Sequence, residues 1–271
     1  MNYFEKFLCF LQRLQMETPN AFGWFHIMWI VFIVIAIVLL YKYKKNTEKE
    51  LKVVLGVYGI IAFVLELLKQ LMWAFNYDNA TGLITWDYTW YAAPFQLCTT
   101  PIFVSLICLF LKKSKLRDSL LSYVAYVTIL GSISTILIPD SCFVSDTLIN
   151  VHTMWLHMGS FVVSIYLLMS EQVKVEFKLL KNALLVFLMF VFIALGLNIG
   201  IYNSGILNGE TFNMFFISPY FISSLPVFDI IQENVPYVLF LIIYLIILML
   251  GAIVIFGISK LVRYAYRKIV K

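Results

Sequence analysis

The chain has 271 residues, of which 62% are hydrophobic and only 13% are charged. Soluble domains are about 45–50% apolar and about 25% charged. This composition excludes an ordinary soluble domain and indicates an integral membrane protein. The formal net charge is +5, and its distribution along the chain is more informative than its sum.

Seven apolar runs are long enough to cross a bilayer, which takes about 20 residues for a helix. We therefore predict an all-α membrane protein, a bundle of seven transmembrane helices in one polytopic domain covering residues 1–271. The predicted spans lie near 23–43, 52–75, 93–111, 119–138, 151–169, 181–202 and 236–259.

Basic residues are confined to alternate segments between these spans. The segments that follow spans one, three, five and seven hold 17 of the 20 Lys and Arg residues, whereas segments 76–92, 139–150 and 203–235 hold none. Because cytoplasmic loops are enriched in Lys and Arg, the pattern predicts an outer N-terminus and an inner C-terminus. The outer segment 203–235 is amphipathic, and both an interfacial helix and a re-entrant segment fit it.

Span two carries two ionisable residues in its outer half. Glu66 and Lys69 are three residues apart and so share one helix face, where they can form an ion pair. Charged groups in hydrocarbon are costly and face the interior of a bundle. We therefore expect both side chains to point into the protein.

Span three carries a thiol near its outer end, in the sequence Pro94-Phe95-Gln96-Leu97-Cys98. We predict Cys98 about one turn inside the helix. Pro101 cannot bond to the carbonyl of Leu97, so it should kink the helix there and leave an oxygen that another polar group must satisfy. A buried cysteine is also commonly just a small apolar residue.

Span five presents one polar stripe, formed by Thr153, His157, Ser160 and Ser164, at the depth of Cys98. His152 lies about 140° from His157 on an ideal helix, at about 100° per residue, and we expect it to serve as a cap or an interface residue. Span six adds Asn198 near its outer end, and span four offers Thr128, Ser132 and Thr135.

These side chains predict a polar pocket in the outer half of the membrane. A cysteine and a histidine within hydrogen-bond reach form an activated nucleophile that attacks acyl carbonyls. No metal site and no cofactor is indicated, because the four cysteines show no paired spacing.

The motifs Glu66-Leu67-Leu68-Lys69, Pro94 to Cys98, His157 with the apolar run after it, and Asn213-Met214-Phe215-Phe216 resemble those of the YwaF-like family of bacterial integral membrane proteins. Its eukaryotic relatives include a Cys-dependent phospholipid acyltransferase. The resemblance covers about residues 22–259 and implies a multi-pass protein of a bacterial plasma membrane. It also implies a thiol at Cys98 that carries an acyl group, assisted by His157.

The chain departs from the family pattern beside the cysteine. The bacterial motif often has a histidine where Gln96 stands, and the eukaryotic version has a histidine where Thr99 stands. Both departures remove an imidazole, so His157 would act alone.

The leading hypothesis is a lipid acyltransferase or acyl hydrolase with Cys98 and His157 as catalytic residues. Lys69 would bind a lipid head group or the oxyanion, with Glu66 holding it in place. Membrane lipids are the expected substrates or ligands, and no nucleic acid is expected. The alternatives are a non-enzymatic transporter or sensor using the same pocket and a structural subunit of a larger complex. The sequence leaves the oligomeric state open. The remaining candidates for substrate binding are Gln96, Asn198 and Asn213.

Overall fold

Helices make up most of the computed structural model, which describes residues 1–139 and 142–269. The helices, in chain order, are α1 (Tyr3–Gln12), α2 (Trp24–Tyr43), α3 (Glu48–Ala74), α4 (Thr100–Phe110), α5 (Lys115–Tyr123), α6 (Ile129–Leu137), α7 (Thr147–Met154), α8 (Ser160–Met169), α9 (Phe177–Asn203), α10 (Phe228–Asn234) and α11 (Tyr237–Ile269). Short 3-10 turns lie at Trp90–Ala92 and Met214–Phe216.

Six helical segments among the described residues are long and apolar enough to cross a membrane. They are α2, α3, α5 joined to α6, α7 joined to α8, α9 and α11. Each corresponds to a predicted span, and most begin a few residues earlier because polar first turns extend the helix. In α3, for example, the hydroxyl of Thr47 accepts from the Glu50 N–H and caps the helix two turns before its apolar part.

The third predicted span differs most from the prediction. Its helix α4 has only 11 residues, from Thr100 to Phe110, and the chain from Ala93 to Thr99 is not helical. The prediction that Cys98 lies one turn inside a helix is therefore wrong. The physical reason is Pro101, which occupies the first turn of α4, where a residue without an N–H is tolerated and starts the helix rather than kinking it.

The sequence analysis did not predict two elements that lie outside the spans. Helix α1 starts with a reciprocal capping box between Asn2 and Glu5. An antiparallel hairpin follows α3, with strands β1 (Phe75–Tyr77) and β2 (Ile84–Trp86). Leu8 and Leu11 of α1 pack with Met72 and Phe75, which fastens α1 to this end of α3.

The core lies where α3, α4, α5, α8 and α9 meet, and Tyr123, Tyr126 and Tyr166 are buried in it. Helices α3 and α4 approach closely at Gly59, where an added Cβ would lie 3.2 Å from the Cβ of Ser105. Small residues at such contacts let membrane helices approach closely. This close approach fixes α4, and with it the segment that carries Cys98, against α3.

The segment from 204 to 236 is not a long interfacial helix. Its part from Phe212 to Ser218 is largely buried in the bundle, and only Phe228–Asn234 forms an α-helix. Asn213, Met214 and Phe215 are thus part of the core rather than a surface loop.

Candidate functional site

Cys98 lies in a tight turn at the unwound entrance to α4. The N–H groups of Thr99 and Thr100 both donate to the carbonyl of Gln96, and the Thr99 hydroxyl accepts from the Gln96 N–H at 2.8 Å. The Thr100 hydroxyl donates to the carbonyl of Leu97 at 2.7 Å. This confirms that a polar side chain satisfies the oxygen that Pro101 cannot reach.

Cys98 is partly exposed as a residue, and its side chain packs against the main core. The segment that leads into Cys98 is joined to α3 by the bond from Gln70 Nε2 to the carbonyl of Ala92.

Glu66 is the centre of a buried polar cluster. One carboxylate oxygen accepts from Lys69 Nζ at 2.7 Å, and the other contacts His152 Nε2 at 2.7 Å. Gln70 Nε2 donates to the first oxygen at 2.7 Å. Glu66 is only 4% exposed, so these donors offset the cost of burying its charge. The expected ion pair of Glu66 and Lys69 is present.

The cluster extends to the connection between β2 and α4. Gln70 Nε2 also donates to the carbonyl of Ala92 at 2.6 Å, and the Tyr88 hydroxyl donates to Gln70 Oε1 at 2.8 Å. The position of Glu66 is therefore tied to the chain segment that leads into Cys98.

His152 does not have the role that the sequence predicts. It is buried and pairs with Glu66 instead of capping a helix or facing the interface. Residues Trp155–Gly159 form a π-helical turn between α7 and α8. Such a turn inserts one extra residue and shifts the register of the side chains that follow it.

His157 is held by span four. Its Nδ1 lies 3.1 Å from the Thr135 hydroxyl, which itself donates to the carbonyl of Gly131 at 3.1 Å. Because a hydroxyl has one proton to donate, Thr135 is left to accept from Nδ1–H. This arrangement fixes the tautomer in which Nε2 of His157 carries the basic lone pair.

A second π-helical turn packs against α8. Residues Val124–Thr128 form it between α5 and α6. The Ser164 hydroxyl donates to the carbonyl of Val124 at 2.9 Å, and the hydroxyls of Thr128 and Ser160 lie 3.5 Å apart. Inserted π turns occur often at functional sites, and here they set the register of the histidine-bearing helix.

The three amides that the sequence suggests for substrate binding all hold the main chain of the segment after α9. Gln96 donates to the carbonyl of Asn213 at 2.8 Å and accepts from the Phe215 N–H at 2.7 Å. Asn198 bonds to both main-chain groups of Met214. Asn213 bonds to main-chain groups of Ser218, Phe221 and Ile222.

These amides hold a strained turn. Phe215 and Phe216 both have φ of 57°, a left-handed conformation that costs non-glycine residues about 1–3 kcal/mol each. The ring of Phe215 is buried, with its centroid 5.8 Å from that of Phe95, three residues before Cys98. The turn therefore forms one wall beside the segment that bears the thiol.

Cys98 and His157 are not hydrogen-bonded to each other in the part of the chain that the structure describes. Both residues are partly exposed. Sequence reasoning missed the pairing of His152 with Glu66 because the two residues are 86 positions apart and lie on different helices. The spacing of Glu66 and Gln70, four residues apart, could have signalled the wider cluster.

The comparisons with known proteins agree with a membrane bundle. The model of the TMEM164 family matches residues 21–256. The chain belongs to the TMEM164 family. The match includes α2 to α9 and most of α11, together with the turn of Cys98, the Glu66 cluster and both histidines. No curated protein and no solved structure matches the chain.

Proposed function

We propose that the chain is a membrane-embedded enzyme that transfers acyl groups of lipids through a thioester on Cys98, with His157 as the proton acceptor. The observation that carries this proposal is the position of Cys98, a partly exposed residue in the non-helical turn before α4, on the segment that Gln70 joins to the Glu66 cluster. The thiolate is the reactive form of cysteine, so the proposal requires a base that takes the thiol proton.

The proposed reaction has two half-reactions. The thiol proton passes to His157 Nε2 while the sulfur attacks the carbonyl carbon of a lipid ester. The ester C–O bond breaks, and the leaving oxygen takes the proton back from the imidazolium, which releases a lysolipid and leaves an acyl thioester. The hydroxyl of an acceptor lipid then attacks the thioester and returns its proton to the sulfur through His157. With water as acceptor, the same steps give a hydrolase.

The position of His157 supports this role through its tautomer. The bond to Thr135 leaves Nε2 as the basic atom. The absence of a bond to Cys98 in the described residues is compatible with the role, because catalytic hydrogen bonds are often long before substrate binds.

Lys69 is the best candidate to bind a lipid head group or the oxyanion. Its Nζ has three protons, of which Glu66 Oε1 accepts one, and the side chain is 13% exposed. Gln96, Asn198 and Asn213 support the pocket wall instead, since their amides are engaged by the main chain. We also propose that the chain is related to the Cys-dependent phospholipid acyltransferase and to the YwaF-like proteins, and that it lies in a bacterial plasma membrane.

We infer a seventh crossing formed by α4 and the segment before it. Segment 76–92 lacks basic residues, whereas Lys112, Lys113, Lys115 and Arg117 follow α4. The positive-inside rule therefore requires a crossing between them. Helix α4 alone spans about 17 Å, and Ala93–Thr99 supplies the remainder as irregular backbone, which membranes tolerate inside a protein. The N-terminus is then outside and the C-terminus inside, a topology that cysteine-labelling from each side tests.

The decisive experiment measures acyl exchange between lipids in vesicles that contain the purified protein. Cys98→Ala and His157→Ala should each abolish exchange, and a hydroxylamine-sensitive acyl adduct should form on the wild type but not on Cys98→Ala. Cys108→Ala is the matched control, because Cys108 lies in α4 but is buried; it should retain exchange. Undiminished exchange in Cys98→Ala refutes the proposal.

A second candidate is a carrier or sensor that binds a solute or lipid without chemistry. The buried Glu66, Lys69 and His152 cluster favours it, because ionisable groups at membrane depth commonly line ion and substrate pathways. Lipid binding that survives in Cys98→Ala, with no exchange in the wild type, would establish this alternative.

A further inference from the structure

A groove separates α2 from α3 at the end of the bundle where the two helices are joined. Helix α2 packs against α8, whereas α3 packs against α4, α7 and α8, so the two consecutive helices leave a gap between them. The groove has a volume of about 340 Å³, which lies within the range of about 300–1,000 Å³ found for small-molecule pockets. Its apolar lining comes from both helices and consists mainly of Leu39, Leu40, Val53 and Val54.

This groove is separate from the site of Cys98. Val54 and the buried Glu66 lie on the same helix, α3. At 1.5 Å per residue, the two are about 18 Å apart along the helix axis. The groove therefore lies near the opposite end of α3 from the candidate functional site, and what binds there does not depend on the proposed function.

The chain around the groove carries an excess of positive charge. Residues 42–52 hold five lysines and two glutamates. Both glutamates are engaged: Glu48 is paired with Arg117, and Oε2 of Glu50 accepts from the Lys45 N–H at 2.7 Å. The bond to Glu50 also fixes the main chain of Lys45 beside the groove.

Lys45 is the lysine that lines the groove. Its neighbours have other contacts, since Lys44 Nζ donates to the carbonyl of Met169 at 3.3 Å and Lys42 Nζ lies 5.3 Å from the ring centroid of Tyr43. Lys45 is exposed, and within residues 1–139 and 142–269 its ammonium forms no ion pair. An available cation therefore stands beside an apolar groove, which is the arrangement that suits a negatively charged head group with an acyl chain attached.

We propose that the groove between α2 and α3 binds an anionic phospholipid of the inner leaflet, with one acyl chain against the apolar walls and the phosphate beside Lys45. The distribution of basic residues puts the connection between these helices on the inner side. The cytoplasmic leaflet is negatively charged and attracts basic segments close to the membrane. This lipid differs from a substrate of the Cys98 site in its leaflet and in the negative head group that it requires.

Native mass spectrometry of the purified full-length protein, titrated in detergent with phosphatidylglycerol or phosphatidylcholine, measures this binding. We expect the wild type to bind the anionic lipid more tightly. Lys45→Gln should weaken the binding of phosphatidylglycerol about fivefold, the effect of one basic residue near an anionic surface, and leave that of phosphatidylcholine unchanged. Lys181→Gln is the matched control and should keep the wild-type affinity, because Lys181 is an exposed lysine on the inner side that does not line the groove.

A second pair of variants tests the apolar walls. Val53→Trp fills the groove without changing its charge and should weaken the binding of both lipids. Ile60→Trp should leave binding unchanged, because Ile60 is similarly exposed on α3, 55% against 56%, but does not line the groove. If Val53→Trp does not fold, Leu39→Trp on the wall formed by α2 replaces it.

Thermal unfolding in the same detergent gives an independent readout. A ligand that binds only the folded state raises Tm, so phosphatidylglycerol should raise the Tm of the wild type more than that of Lys45→Gln.

Three results would overturn the inference. One is equal affinity of the wild type for the two lipids. Another is an equal loss in Lys45→Gln and Lys181→Gln, which would assign the attraction to the overall charge of this face. The third is undiminished binding in Val53→Trp. None of these measurements requires acyl transfer, so they hold whatever the effect of Cys98→Ala on lipid exchange.

Discussion

Replacing Gln96 with alanine should destabilise the protein by about 2–4 kcal/mol. Its side chain satisfies two main-chain groups of the left-handed turn, the carbonyl of Asn213 at 2.8 Å and the N–H of Phe215 at 2.7 Å. Each unsatisfied buried group costs about 1–3 kcal/mol, which gives about 2–6 kcal/mol for both. Gln96 is partly exposed, so water can replace some of the lost bonding, and the lower part of that range applies.

Thermal unfolding of the purified protein in detergent measures this loss. A protein of this size loses roughly 2–4 °C in Tm for each kcal/mol, so we expect a clear decrease for Gln96→Ala. Gln96→Met keeps the length of the side chain and loses both bonds, and should be destabilised to a similar degree. Gln172→Ala is the matched control, because Gln172 makes a single long contact of 3.4 Å with the carbonyl of Asn46.

The reasoning would be refuted if Gln96→Ala unfolded at the wild-type temperature. If Gln96→Ala had normal stability but had lost lipid binding, Gln96 would be a substrate-binding residue, as the sequence suggests. A destabilised variant with unchanged affinity for lipid would instead support its role as the support of the strained turn at Phe215.

Two further predictions concern the histidine-bearing helix. Gly159→Ala should cost about 1–3 kcal/mol, because the new Cβ would lie 2.8 Å from the buried ring of Tyr58; Gly257→Ala, which meets nothing within 4 Å, should be neutral or slightly stabilising in the same melting assay. Thr135→Val removes the acceptor for the Nδ1 proton of His157 and should slow acyl exchange about tenfold, a typical loss for an altered supporting contact. Full activity in Thr135→Val would show that the tautomer of His157 does not matter.

The sequence determined the class of protein and the positions of its long helices. Apolar runs of about 20 residues can be satisfied in a bilayer only as helices, because the backbone must bond within itself, so α2, α3, α9 and α11 follow from composition alone. The ion pair of Glu66 and Lys69 was also predictable, since it lies within one helix and depends only on local spacing.

Long-range contacts determined the details of the site. The unwound segment that carries Cys98 depends on bonds between Gln96 and residues more than 100 positions away in the chain. The left-handed turn at Phe215 opposes the local preference of phenylalanine and depends on Asn198, on another helix. A sequence pattern shows only local periodicity. These features exist because polar groups far apart in the chain must form hydrogen bonds with each other inside a low-dielectric interior.

The role of His152 shows the same division. On a regular helix His152 points away from His157. No residue type in Trp155–Gly159 predicts the extra residue of the π turn. Packing against α6 and the second π turn selects that register, and Glu66 then provides a partner across the bundle. Sequence determined which helices exist, but the buried hydrogen bonds between them decided which side chains meet, because an unpaired polar group costs too much in the membrane to leave the register free.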